Sequence, residues 1–144
     1  MPTCHASATW EGGLRGGKGT FAGESGTIGG KFDFVKRFGD EQGSNPEEML
    51  AAAEASCFSM ALSAGLGRMG HTPTEIRTTA TLTLHKGAQG FKITKIHLAT
   101  EGKVPGIDQA TFQEAAEGAK SNCPVSVLLK PGLEEISLDA KLVS

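Results

Sequence analysis

SNPEEMLAAAEASCFSMALSAGLGRM, residues 44–69, is the stretch whose reading decides the fold. Ser44 and Asn45 offer capping side chains, and Pro46 suits the first turn of a helix. Glu47 and Glu48 then put negative charge on the positive end of the helix dipole. From Met49 to Met69 the chain is rich in Ala, Leu and Met and apolar nearly all round, the pattern of a buried helix. Gly70-His71-Thr72-Pro73 ends it.

Upstream, 9 of the 20 glycines fall between Gly12 and Gly30. Short strands joined by glycine turns are expected there, over Cys4–Glu11, Gly17–Glu24 and Lys31–Phe38. Downstream, Thr78–His85 alternates like a half-buried strand, and Phe91–Thr100 alternates again, so the turn Lys86–Gly90 makes a hairpin. Ile107–Ser121 reads as an amphipathic helix with Ile107, Ala110, Phe112, Ala115, Ala116 and Ala119 on one side. Cys123-Pro124 opens a short helix over Val125–Leu129, and Glu134–Val143 is a last strand. The order β-β-β-α-β-β-α-α-β describes an α+β domain with largely antiparallel sheets, one domain over residues 1–144.

The bulk properties narrow the function. A net charge of −2 with no dense run of one sign disfavours nucleic acid, whose phosphates need a basic surface. No apolar stretch looks long enough to cross a bilayer. The first residues lack the basic and apolar regions of a signal peptide, so a cytoplasmic protein is expected. Three cysteines are too few, and odd in number, for a secreted disulfide framework. In a reducing compartment a cysteine is either a small buried hydrophobe or a working thiol.

Local sequence does not decide between those two roles. Cys57 lies inside the apolar helix, where a thiol is inert unless a cation or donor stabilises the thiolate. Cys123 precedes Pro124 and so falls at an N-cap, where free N–H groups favour an anion, yet a plain turn residue fits equally well. Arg37 reads as a surface charge at the end of the third strand, and Glu47 as an acid complementing a helix dipole. Cys4 is incidental. The segment Gly12–Thr20 fails as a phosphate loop, because Gly19 follows Lys18 and no helix follows. His5, His71, His85 and His97 show no metal spacing.

Taken together, these pieces resemble the OsmC branch of the OsmC/Ohr family of hydroperoxide reductases. The resemblance runs over nearly the whole chain, from Ala8-Thr9-Trp10-Glu11-Gly12 through Asn45-Pro46-Glu47-Glu48 to Val104-Pro105-Gly106-Ile107-Asp108. Its most specific parts are Cys57-Phe58-Ser59-Met60-Ala61-Leu62 and Cys123-Pro124-Val125-Ser126. Glu54 and Ser56 depart from the pattern near the helical cysteine, outside the reactive set.

The resemblance implies the fold of an intertwined homodimer around a long buried central helix, with two sites at the interface. It implies that Cys57 is the peroxidatic and Cys123 the resolving cysteine, and that Arg37 and Glu47 pair with each other over the reactive thiol. The substrate would be an organic hydroperoxide. No cofactor or metal is implied; the co-substrate would be a dithiol of the dihydrolipoyl type, free or on a lipoylated protein. The role would be protection against oxidative stress. The chemistry is coherent: the thiolate attacks the peroxide, the sulfenic acid condenses with the second thiol, and a dithiol reopens the disulfide. Phe38, Phe58 and Met60 would supply an apolar surround suited to alkyl chains. Two rivals stand beside it: a general thiol–disulfide oxidoreductase, disfavoured by the absence of Cys-x-x-Cys, and a non-catalytic binder of apolar ligands.

Overall fold

The computed structural model describes all residues 1–144. The chain divides into two compact units, Met1–Met49 and Leu50–Ser144.

The first unit is built on a three-stranded antiparallel sheet of β1 (Ala6–Glu11), β2 (Lys18–Gly23) and β3 (Gly29–Phe32), paired in that order. Trp10 stands opposite Gly19, and Gly19 opposite Phe32. A Cβ on Gly19 would come within 2.5 Å of the Phe32 ring, so glycine leaves the room the ring fills. The expected strand Lys31–Phe38 is corrected here. β3 stops at Phe32, and Phe34–Phe38 is a short helix, α1, so Arg37 lies on a helix. The cause is Asp33. Its side chain accepts from the Lys36 backbone N–H at 2.9 Å, an N-cap that turns the chain out of the sheet. The Lys36 ammonium, 2.6 Å from the same carboxyl, helps hold Asp33 below the usual carboxylate pKa.

The long helix α2 runs from Pro46 to Arg68, and Asn45 caps it by accepting from the Glu48 N–H at 2.8 Å. It ends as glycine dictates: Gly70 has φ +87°, with His71 N–H bonding Leu66 O at 2.9 Å and Gly70 N–H bonding Gly67 O at 3.0 Å. By length and composition α2 could cross a membrane, with a mean hydropathy of 1.4, contrary to the expectation that no stretch is long or apolar enough. Within one chain its burial is confined to the stripe Glu54, Phe58, Leu62 and Leu66, spaced by four, while Met60 is 75% exposed.

That stripe packs in the second unit. β4 (Glu75–Gly87) and β5 (Gly90–Lys103) form an antiparallel hairpin, longer than the sequence suggested, turned at Gly90 with φ +110°. α3 (Gln109–Asn122) and α4 (Pro124–Leu129) then cross over to β6 (Glu135–Leu142). β6 pairs with β5 in parallel, so the sheets are not all antiparallel. With α1, the observed order becomes β-β-β-α-α-β-β-α-α-β. Phe58, Leu62 and Leu66 meet Ile96 and Leu98 of β5 and Phe112 and Ala116 of α3, all at most 1% exposed. Ala110 of α3, expected on the core side, is exposed. A chain of hydroxyls ties α2 to the sheet: Ser59 donates to Thr78 at 2.9 Å, and Thr78 lies 3.0 Å from Thr100.

Candidate active site

Two pairs of predicted site residues come together, one in each unit. In the first unit Arg37 of α1 meets Glu47 of α2. Its Nε and Nη2 both donate to Glu47 Oε1, at 3.2 and 3.0 Å. The two N–H groups therefore converge on one oxygen rather than spanning both. Asn45 sets the geometry: while its Oδ1 caps α2, its Nδ2 donates to Lys36 O at 3.1 Å, fixing α1 against the start of α2. The Glu47 side chain is only 11% exposed, and the Arg37 guanidinium also lies 5.1 Å from the Phe38 ring centroid.

In the second unit the two thiols meet. Cys57, half-buried on α2, faces Cys123, which is fully buried. Cys123 both ends α3, its N–H bonding Ala119 O at 2.8 Å, and caps α4. Pro124 after it forbids a helical backbone at Cys123, whose ψ of 125° breaks the two helices apart. The sequence placed Cys123 at an N-cap, and it is there. The N–H that this cap frees, that of Val125, is directed at the Cys57 sulfur instead.

The Cys57 thiol is pushed up from its ordinary pKa. Burial is the main cause, followed by its contact with Cys123; the Glu54 carboxyl adds to it, and only the Val125 N–H pulls the other way.

Glu54 departs from the family pattern and falls outside the reactive residues expected from the sequence. It lies one turn before Cys57 and is 0% exposed. Ser126 of α4 donates a short hydrogen bond to its Oε1, and its Oε2 has no hydrogen-bond partner. A lone acid three positions before a cysteine, in an otherwise apolar run, was the available signal. Phe58 belongs to the core rather than to a substrate surface, and Met60 is largely exposed. No group of three His, Cys, Asp or Glu is placed to hold a metal ion, and Cys4 is exposed.

This fold and these paired thiols define the OsmC-like class, and the comparisons agree. The sequence model of the family described as OsmC-like protein matches residues 39–135. Peroxiredoxin OsmC of Escherichia coli (strain K12) is 51% identical over 138 residues, covering 95% of this chain and 94% of that protein. Peroxiredoxin OsmC of Shigella flexneri matches with the same figures. Among solved structures, an organic hydroperoxide resistance protein from Elizabethkingia anophelis superposes with a TM-score of 0.76 at 23% identity, over 99% of this chain and 96% of that one. OhrB of Bacillus subtilis gives 0.70 at 22% identity, over 96% and 97%. The chain belongs to the OsmC-like family.

Proposed function

We propose that this protein reduces organic hydroperoxides to alcohols with Cys57 as the peroxidatic and Cys123 as the resolving thiol, the whole chain acting as one domain of its family. It is a thiol-dependent peroxidase, of the same kind as the peroxiredoxins it resembles at 51% identity. The observation that carries the two-cysteine reading is the meeting of Cys57 and Cys123, 66 positions apart in sequence, at the start of α4. Attack of the Cys57 thiolate on the outer peroxide oxygen releases the alcohol and leaves a sulfenic acid; condensation with Cys123 releases water and forms the disulfide. A dithiol of the dihydrolipoyl type, free or protein-bound, would reopen it, because a dithiol resolves its own mixed disulfide intramolecularly. The setting would be the cytoplasm, in defence against oxidative stress.

Burial raises the Cys57 thiol, so a thiolate there calls for a cation, and the Arg37–Glu47 pair is the candidate. Glu47 and Cys57 lie on one helix, ten residues and so roughly 15 Å of rise apart. That separation is too long for one ion pair to bridge along its own helix. We therefore assign the pair to the partner subunit's Cys57, in a homodimer that also covers the open side of α2. Complementation tests this. Inactive Cys57→Ser and inactive Glu47→Ala, unfolded and refolded together, should regain activity in the heterodimer, which holds one intact site. A mixture that stays inactive would place Glu47 on its own chain. The cycle itself is tested by steady-state turnover with cumene hydroperoxide, hydrogen peroxide, dihydrolipoamide and glutathione. Preference for cumene hydroperoxide and dihydrolipoamide is expected; faster turnover with glutathione would contradict the reductant.

A further inference from the structure

We propose that Glu54 carries the proton in the step that closes the Cys57–Cys123 disulfide. This rests on the two-cysteine reading above and adds a residue to it.

The position of the carboxyl is the ground. Glu54 and Cys57 are three apart on α2, so their side chains are neighbours on one face. Ser126, which holds Glu54 Oε1, is three residues beyond Cys123. The carboxyl thus bridges the two helices that bear the thiols, fully buried, with Oε2 open. A buried acceptor left unpaired is costly and calls for a reason. Cys57 is the titratable group that feels this carboxyl, and Cys57 in turn meets Cys123, three residues before the Ser126 that holds Glu54; Ser126 and the Val125 N–H are uncharged. A negative group here disfavours the Cys57 thiolate, so it does not serve the first attack.

Disulfide closure does need such a group. The Cys123 S–H bond and the Cys57 S–O bond break, and the S–S bond forms. Cys123 sulfur is oxidised, Cys57 sulfur is reduced, and hydroxide leaves. Glu54 Oε2 takes the Cys123 proton as that sulfur attacks, then gives it to the departing hydroxide as water. The carboxyl ends as it began, and the hydroperoxide of the first step remains the only oxidant. Cys123 is fully buried, so bulk water is poorly placed to relay this proton.

The test follows the two steps separately. Reduced protein is mixed with one equivalent of cumene hydroperoxide across a range of pH. Sulfenic acid is trapped with dimedone, and the disulfide is measured by mass spectrometry. In Glu54→Gln, dimedone adduct on Cys57 should accumulate, and closure should slow by roughly 100-fold. Glu54→Asp, which keeps a carboxylate, should recover part of the closure rate that Glu54→Gln loses. Closure at the wild-type rate in Glu54→Gln would overturn the proposal. If Glu54→Gln does not fold, Glu54→Asp decides: slower closure with the adduct accumulating supports the role, and unchanged closure overturns it. Cys123→Ser separates the two readings. If it fails to accumulate the adduct, the two-cysteine cycle itself is wrong, whatever Glu54 does.

Discussion

The two compact units hold themselves together in different ways. Every buried hydrophobic side chain of the core belongs to Leu50–Ser144. In Met1–Met49 the sole buried residue is Gly19, while Leu14 and Ile28 are 63% and 62% exposed. The second unit has a core of its own and carries the thiols. The first has strand pairing, an aromatic cluster of Trp10, Phe21 and Phe32, a ring pair of Phe34 and Phe38, and a cation clamped by Glu47. A segment of that size with so little burial is marginal alone. The thiols thus sit on a packed scaffold, whereas the Arg37 guanidinium sits on a segment with almost no core of its own, which the proposed homodimer would cover.

The comparison breaks most sharply at the thiols. Cys57→Ser should abolish hydroperoxide turnover in a steady-state assay while leaving the fold intact, since the core does not depend on the sulfur. Cys123→Ser should react once and then lose activity by overoxidation of Cys57. Equal, undamaged turnover in either variant would remove the roles assigned to the second unit.

Next comes the core. Phe58→Ala, at a site with 0% exposure, should cost about 3–5 kcal/mol in denaturant unfolding. Trp10→Ala in the first unit should instead make the melting temperature depend more steeply on protein concentration, as expected if that unit is stabilised by association. Matched losses at both positions, independent of concentration, would erase the contrast between the units.

A smaller effect is expected at the cation. A positive charge beside a thiol favours the thiolate, so Arg37→Ala should move the pH midpoint of Cys57 alkylation upward. Alkylation at neutral pH should slow in step, roughly tenfold for every pH unit that the midpoint moves. Arg37→Lys should recover only part, because an ammonium cannot present two N–H groups to one Glu47 oxygen in a fixed plane. Smallest is Asn45→Ala, which removes the α2 cap and its tie to Lys36 O and should cost about 1 kcal/mol.

Much of this was legible in particular residues. Asn45-Pro46-Glu47-Glu48 announced the start of α2 because capping is local chemistry. Pro124 placed Cys123 at a cap for the same reason. α1 was hidden because Phe34-Val35 looks like strand, and only the Asp33 cap and its bond to Lys36 overrule that propensity. The parallel pairing of β6 with β5 depends on a crossover that no local pattern encodes. Nor does sequence show burial around a helix that is apolar on every side: the stripe that selects Phe58 and hides Glu54 is chosen by packing against β5 and α3.

The most direct measurement of the central claim is disulfide mapping after a single oxidation. Fully reduced protein receives one equivalent of cumene hydroperoxide and is digested and read by mass spectrometry. Two thiols should disappear, Cys57 and Cys123 should emerge as one disulfide-linked pair with no oxygen added, and Cys4 should stay free. Unchanged thiols, or an oxygen-bearing Cys57 beside an intact Cys123 thiol, would contradict it.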